Sequence, residues 1–281
     1  MAYIEFLRVR TRLLWFVGLL LVFVSFTALS AHGGGGVHVS IQNGGSDVSG
    51  GVGTNDTSGA PGGANTLAAV IPAIPADALF VAVGLLTLIF GSIVGPSLNR
   101  EWDTLDFAWT QPISRARLAL TYIGVDAAGI ACAFVLAFGC SLVPLAAVGV
   151  VSHIAVQPDT LEVALVGLGS AFMWYAILQA ASAWYAGRAA GLVQGLSWAG
   201  FTILLALGTT QAFGPLFHAA VLALNCLNPL AYVSSLSIHP DGAVTEGSVL
   251  PLSMGIRAAL VWALGLAACA VAVAGWKRLE L

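Results

Sequence analysis

The chain reads as an all-α integral membrane protein with six transmembrane helices, both termini cytoplasmic, and a short amphipathic helix between helices two and three. Three observations predict this. Of 281 residues, 58% are hydrophobic and only 8% are charged, whereas soluble domains carry charge at roughly a quarter of positions. Apolar stretches recur at about the 20-residue length that a helix needs to cross hydrocarbon. With six crossings, nine of the ten Lys and Arg residues fall on one side of the membrane, as the positive-inside rule requires.

Five spans follow from length and from the absence of internal charge: Leu13 to Ala31, Ala78 to Pro96, Val163 to Ser182, Ala189 to Gly208 and Ala258 to Trp276. A lipid-embedded backbone must satisfy its own hydrogen bonds, so each is a helix. The stretch from Leu118 to Val151 is apolar apart from Asp126 and would be about 50 Å long as one helix. It is either one long span, broken near Pro144, or a hairpin of two.

The basic residues decide between these. A single crossing puts Arg8, Arg10, Arg12, Arg100, Arg115, Arg117, Arg188, Lys277 and Arg278 inside and leaves only Arg257 outside. Two crossings there would put Arg188, Lys277 and Arg278 on the wrong side, and a crossing by Phe217 to Leu227 would do so for Lys277 and Arg278. A cleaved signal peptide is the alternative for the first span, with Arg8 to Arg12 as its basic region and Ala28-Leu29-Ser30 as its cleavage site. Its apolar run exceeds the 7 to 15 residues usual for such a segment.

The expected organisation is therefore one transmembrane domain over 1–281. The first span is 13–31, an external Gly-rich loop is 32–73, and the second span is 78–96. A cytoplasmic segment covers 98–115, a long third span 116–151, the fourth span 163–182 and the fifth 189–208. An external segment covers 209–253 and the last span 258–276. From His32 to Asn65 the loop is mostly Gly, Ser, Asn and Asp, with too little to bury to offset its ordering entropy. In the 209–253 segment, Phe217 to Leu227 is too short to cross and is expected as an interfacial or re-entrant helix capping the outer mouth.

The 98–115 segment holds the most information. Leu98, Trp102, Leu105 and Trp109 are spaced four, three and four apart, one apolar stripe on a helix. Asn99 can cap its start, Glu101 and Asp103 suit the positive end of the helix dipole, and Pro112 ends it. Ser114 can then cap the third span. The pattern fits either a plain interfacial anchor or a docking element.

The residues Arg100-Glu101, Thr104-Leu105 and Gln111-Pro112-Ile113-Ser114-Arg115 resemble the R-E … G-T-L … P-[VI]-S-R signature after the second span of ABC-2 type transporter permeases. The large outer loop, the long third span, the short inner turn at Tyr185 to Arg188 and Asn228-Pro229 before the last span are similar too. Asp103 replaces the family's glycine. In that family the segment is the coupling helix that docks on the nucleotide-binding subunit. The resemblance implies ATPase-coupling roles for Glu101, Trp102, Leu105, Asp106, Trp109, Pro112, Ser114 and Arg115.

It also implies two permease chains, identical or not, with two ABC ATPase subunits, in a bacterial cytoplasmic membrane, moving a substrate outward. No cofactor is expected on this chain. A phosphate-binding loop needs GxxxxGK[ST], and the sole lysine, Lys277, lacks that context. ATP and Mg are expected on the partner, and the chain itself is not expected to be an enzyme. A net charge of −3 excludes the dense basic surface that nucleic acid selects.

Outside that segment, Asp126 falls near mid-membrane, where an unpaired carboxylate costs roughly 2.5 to 3.5 kcal/mol. It is either a polar element of the translocation path or an interhelical contact with a Ser, Thr or Tyr. Arg257 is expected to snorkel at the outer start of the last span, near Glu246. Gln179 and Gln194 are expected as interhelical hydrogen-bonding groups. Cys132, Cys140, Cys226 and Cys269 lack metal spacing and read as small core residues. His32, His38, His153, His218 and His239 are scattered over three loops without paired ligand spacing.

A secondary transporter or channel of six helices is the competing reading, although Asp126 is the only midplane charge for it. An intramembrane hydrolase built on Ser141 or Ser197 would need a facing histidine. A passive scaffold is the third alternative.

Overall fold

A computed structural model describes residues 9–18, 20, 74–94, 114–147, 151, 154–184, 190–209, 214–234, 236–238, 244–246 and 249–278. Its helices are α1 (9–18), α2 (Ala76–Val94), α3 (Arg115–Ala147), α4 (Thr160–Trp184), α5 (Ala190–Thr209), α6 (Gly214–Asn225), α7 (Pro229–Ser234) and α8 (Met254–Arg278). Two short strand pairs supplement them. β1 (Ile74–Pro75) runs parallel to β2 (Ile154–Ala155), and β3 (Leu236–Ile238) runs antiparallel to β4 (Val244–Glu246).

The expected count of six spans needs correction. Among the described residues four helices are long and apolar enough to cross a membrane, at Ala116–Ala146, Thr160–Ser182, Leu192–Thr209 and Met254–Arg278. The second expected span, 78–96, falls short for a local reason. Pro75 precedes α2, and Asp77 occupies its first turn. What remains apolar, Leu79–Val94, spans about 24 Å at 1.5 Å per residue, against a hydrocarbon core of roughly 30 Å. For the first expected span, 13–31, residues 21–31 lie outside the described residues. So do 95–113, which hold the expected cytoplasmic segment up to Ile113, and the whole of the expected external loop 32–73.

The stretch around Asp126 forms one helix of 33 residues with Pro144 inside it. The other expected spans shift by a few residues at each end. The expected re-entrant helix, 217–227, is α6, followed by a turn and α7.

α4 is the centre of the bundle because it is apolar on every face. Of its spanning window 67% is buried, against 6% for the window of α5. α2 and α8 flank α4 and run parallel to it, and α3 packs antiparallel against α2. Small residues set the closest approaches, the device that membrane helices use where hydrophobic burial cannot discriminate. A Cβ on Gly84 would stand 2.9 Å from Gly167 Cα, and one on Gly91 2.6 Å from the Ala171 carbonyl oxygen. On the opposite face, Gly169 admits Val261 and Trp262, whose indole stacks on Phe172 at 5.5 Å.

Arg10, Arg12, Arg117, Lys277 and Arg278 lie at one end of the bundle, hereafter the basic end. The strand pairs, α6 and α7 lie at the other. The buried hydroxyls of Thr87 and Ser170 are satisfied within their own helices, Thr87 donating to the Val83 carbonyl at 2.8 Å and Ser170 to the Val166 carbonyl at 2.7 Å.

Candidate functional site

Asp126 on α3 is fully buried. The Tyr175 hydroxyl, from α4, donates to its Oδ2 at 2.8 Å. The Phe172 ring lies 6.4 Å from that of Tyr175, and Tyr122, one turn from Asp126 on α3, is buried. The interhelical contact with a tyrosine, one of the two readings of Asp126, is present.

Its depth differs from the expectation. Because α2 and α4 run parallel with Gly91 against Ala171, Val94 and Tyr175 stand at one level. Tyr175 is four residues beyond the middle of the Thr160–Ser182 span, or about 6 Å toward the basic end. Asp126 therefore sits in the basic half of the bundle rather than at its centre. Arg12 of α1 reaches the same level, where its Nη1 donates to the Val94 carbonyl at 3.3 Å. Below Asp126, α3 continues eleven residues to Arg115, about 16 Å at helical rise, and α8 runs beside it to Arg278.

That extension leads into the segment 98–115, expected to be cytoplasmic. Ser114 is exposed and its carbonyl accepts the Leu118 amide at 3.1 Å, opening α3 as a capping residue does. Arg115 is the first residue of the helix. Glu101, Trp102, Leu105, Asp106, Trp109 and Pro112 lie outside the described residues.

The opposite end is held by asparagines. Asn228 Nδ2 donates to the Phe201 carbonyl at 2.9 Å and to Asn225 Oδ1 at 2.9 Å, while its Oδ1 accepts the Leu230 amide at 3.1 Å. Asn225 Nδ2 donates to the Leu204 carbonyl at 2.8 Å. Gly208 gives it room, since a Cβ there would lie 2.7 Å from that nitrogen. These side chains fasten the outer half of α5, which otherwise touches the bundle through Trp198 and Phe201 on the buried Trp174. Near its other end, Gln194 Nε2 donates to the Ser92 carbonyl at 2.9 Å, the interhelical role expected of it.

Arg257 departs from the snorkelling expectation. It is fully buried, with Nε donating to the Leu252 carbonyl at 2.8 Å and Nη2 donating to that of Leu250. The guanidinium folds back to tie the 249–253 turn to α8. Tyr232 stands nearby and donates its hydroxyl to the Cys226 carbonyl at 2.8 Å. Burial pushes its phenol well above the usual range, Cys226 adds to the rise, and Arg257 opposes it.

A cavity of about 510 Å³ opens at this same end, lined by Leu79 and Phe80 of α2, Phe138 of α3, and Leu161 and Ala164 of α4, with Gln157 and Thr160 beside them. The β1–β2 pairing brings the starts of α2 and α4 together above it.

Ser141 and Ser197, the candidate nucleophiles, donate to carbonyls of their own helices, at 2.6 Å to Ala137 and 2.7 Å to Gln194. Of the cysteines only Cys269 is buried, and Cys132 is exposed on α3. Sequence reasoning missed Tyr175, Asn225 and the cavity. Only Asn225 left a signal, three residues before the Asn228-Pro229 pair.

Comparison with protein-family models, with curated proteins and with solved structures finds no match. The fold and its helices place the chain among all-α, multi-span integral membrane proteins.

Proposed function

We propose that this chain is the membrane-spanning permease subunit of an ATP-binding-cassette exporter, working with a second permease chain and driven by a separate ATPase. The observation that carries the reading is the continuity between the signature-bearing segment 98–115 and α3. Ser114 opens α3 directly, and α3 runs unbroken through the bundle past Asp126. A push on the segment is thereby transmitted along a rigid rod whose only buried carboxylate among the described residues is held by α4.

Transport then needs two arrangements of the helices, biased by nucleotide at the remote site. α3 tilts against α2 and α4, and the Asp126–Tyr175 bond is the polar contact that this tilt loads. The basic end faces the cytoplasm by the positive-inside rule, which puts the segment on the ATPase side.

Purification of the tagged full chain from its native membrane tests this. Arg115→Glu, or Leu105→Pro within the segment, is expected to lose an accompanying ATPase with Walker motifs while insertion is retained. Undiminished association in both variants would contradict the proposal.

A further inference from the structure

We infer that the cavity between α2, α3 and α4 is a binding site for one acyl chain of a membrane phospholipid. The inference is independent of the exporter reading. The cavity lies at the end of the bundle opposite the basic residues, roofed by the β1–β2 pairing and floored by the aromatic stack of Phe80 on Phe138, centroids 4.8 Å apart.

Three features select the occupant. The lining is apolar except at Gln157 and Thr160, so it offers a polar ligand few partners and an apolar one many. Its volume, about 510 Å³, lies in the range of sites that enclose small apolar ligands. Its mouth is bordered by Val156 and Leu161, 79% and 69% exposed. These side chains continue onto Leu165 of α4 and Val135 of α3, both exposed on helices of membrane-spanning length. The opening is thus continuous with the lipid-contacting surface, where hydrocarbon chains are the solvent.

The polar groups sit at one edge only. Gln157 and Thr160 bond each other there, the Gln157 amide donating to Thr160 Oγ1 at 2.9 Å and the Thr160 amide to the Gln157 carbonyl at 3.2 Å. A lipid entering tail first keeps its headgroup at that edge, level with the end of α4, while the chain lies along Leu79, Phe80 and Phe138.

The test uses the full chain in vesicles of phosphatidylethanolamine and phosphatidylglycerol carrying a trace of phospholipid with a diazirine at its chain terminus. After irradiation, adducts are mapped by mass spectrometry. The expected result is labelling of the peptides containing Phe138 and Ala164 in excess of labelling at Leu192 and Leu196 on the exposed face of α5, which reports ordinary boundary lipid. Ala164→Trp and, separately, Leu79→Trp fill the cavity and should abolish the Phe138 adduct while leaving the α5 adducts intact, which also shows that each variant is folded. A probe carrying the diazirine on its headgroup should spare Phe138. Equal labelling of both surfaces, a Phe138 adduct that survives both substitutions, or labelling by a diazirine fatty acid but not by the phospholipid would overturn the inference.

Discussion

Gly91→Ala tests the packing on which the bundle's register depends. The added Cβ would stand 2.6 Å from the Ala171 carbonyl oxygen, where ordinary contact begins at 3.4 Å. The obstacle is helix backbone, which has no rotamer to change, so α2 and α4 must separate by up to about 0.8 Å, an overpacking cost of about 1 to 3 kcal/mol. Alanine returns up to about 1 kcal/mol of helix propensity, leaving a net loss of roughly 1 kcal/mol, with Gly91→Leu nearer 3 kcal/mol. Gly195→Ala is the control, because a Cβ there meets nothing within 4 Å. Unfolding of the purified chain by SDS in mixed micelles, followed by far-UV circular dichroism, measures both. A Gly91→Ala protein as stable as the Gly195→Ala protein would refute the close approach of α2 to α4, and with it the level assigned to Asp126.

Three further outcomes are expected. Tyr175→Phe and Asp126→Ala should be non-additive in a double-mutant cycle by about 0.5 to 1.5 kcal/mol, the range for an intramolecular hydrogen bond; additive costs would mean the contact is not made. Asn228→Ala removes the donor to Phe201 and should cost about 1 to 3 kcal/mol, with faster amide exchange confined to the outer half of α5, and uniform exchange along α5 would contradict that fastening. The Tyr232 phenol has its folded pKa raised above the ordinary 10.0, chiefly by burial. Its contribution is therefore complete below pH 10 and is lost as pH rises above that value, so Tyr232→Phe should flatten the alkaline limb of a stability–pH curve, whereas an unchanged limb would show that another group governs it.

Several elements were readable because one physical rule dominated each. The apolar runs of α4 and α8 and the charge-free α5 match bilayer thickness, so length alone located them. The single long helix through Asp126 followed from the positions of Arg188, Lys277 and Arg278. α2 was misjudged because its hydropathy was read ahead of its length: its apolar part among the described residues, Leu79–Val94, is shorter than the hydrocarbon core is thick. Tyr175 was beyond reach for a different reason: it lies 49 residues from Asp126 in sequence, and its partner is chosen by the Gly84 and Gly91 approaches that fix how α2 sits on α4. Arg257 followed the snorkelling rule less than the demand of two backbone carbonyls in the 249–253 turn, a local geometry that composition does not encode. The β1–β2 pairing, two residues per strand, has no periodicity to detect, and the cavity beneath it was hidden with it.

The central claim is that segment 98–115 meets an ATPase. A chain with its four native cysteines replaced by alanine and Trp109→Cys introduced, treated in native membranes with a thiol-to-amine cross-linker, tests it most directly. The expected result is a cross-linked product with a Walker-motif ATPase whose yield changes when ATP is trapped on that subunit. Modification of the introduced cysteine by an impermeant reagent from the side opposite the basic end, with no such product, would contradict it.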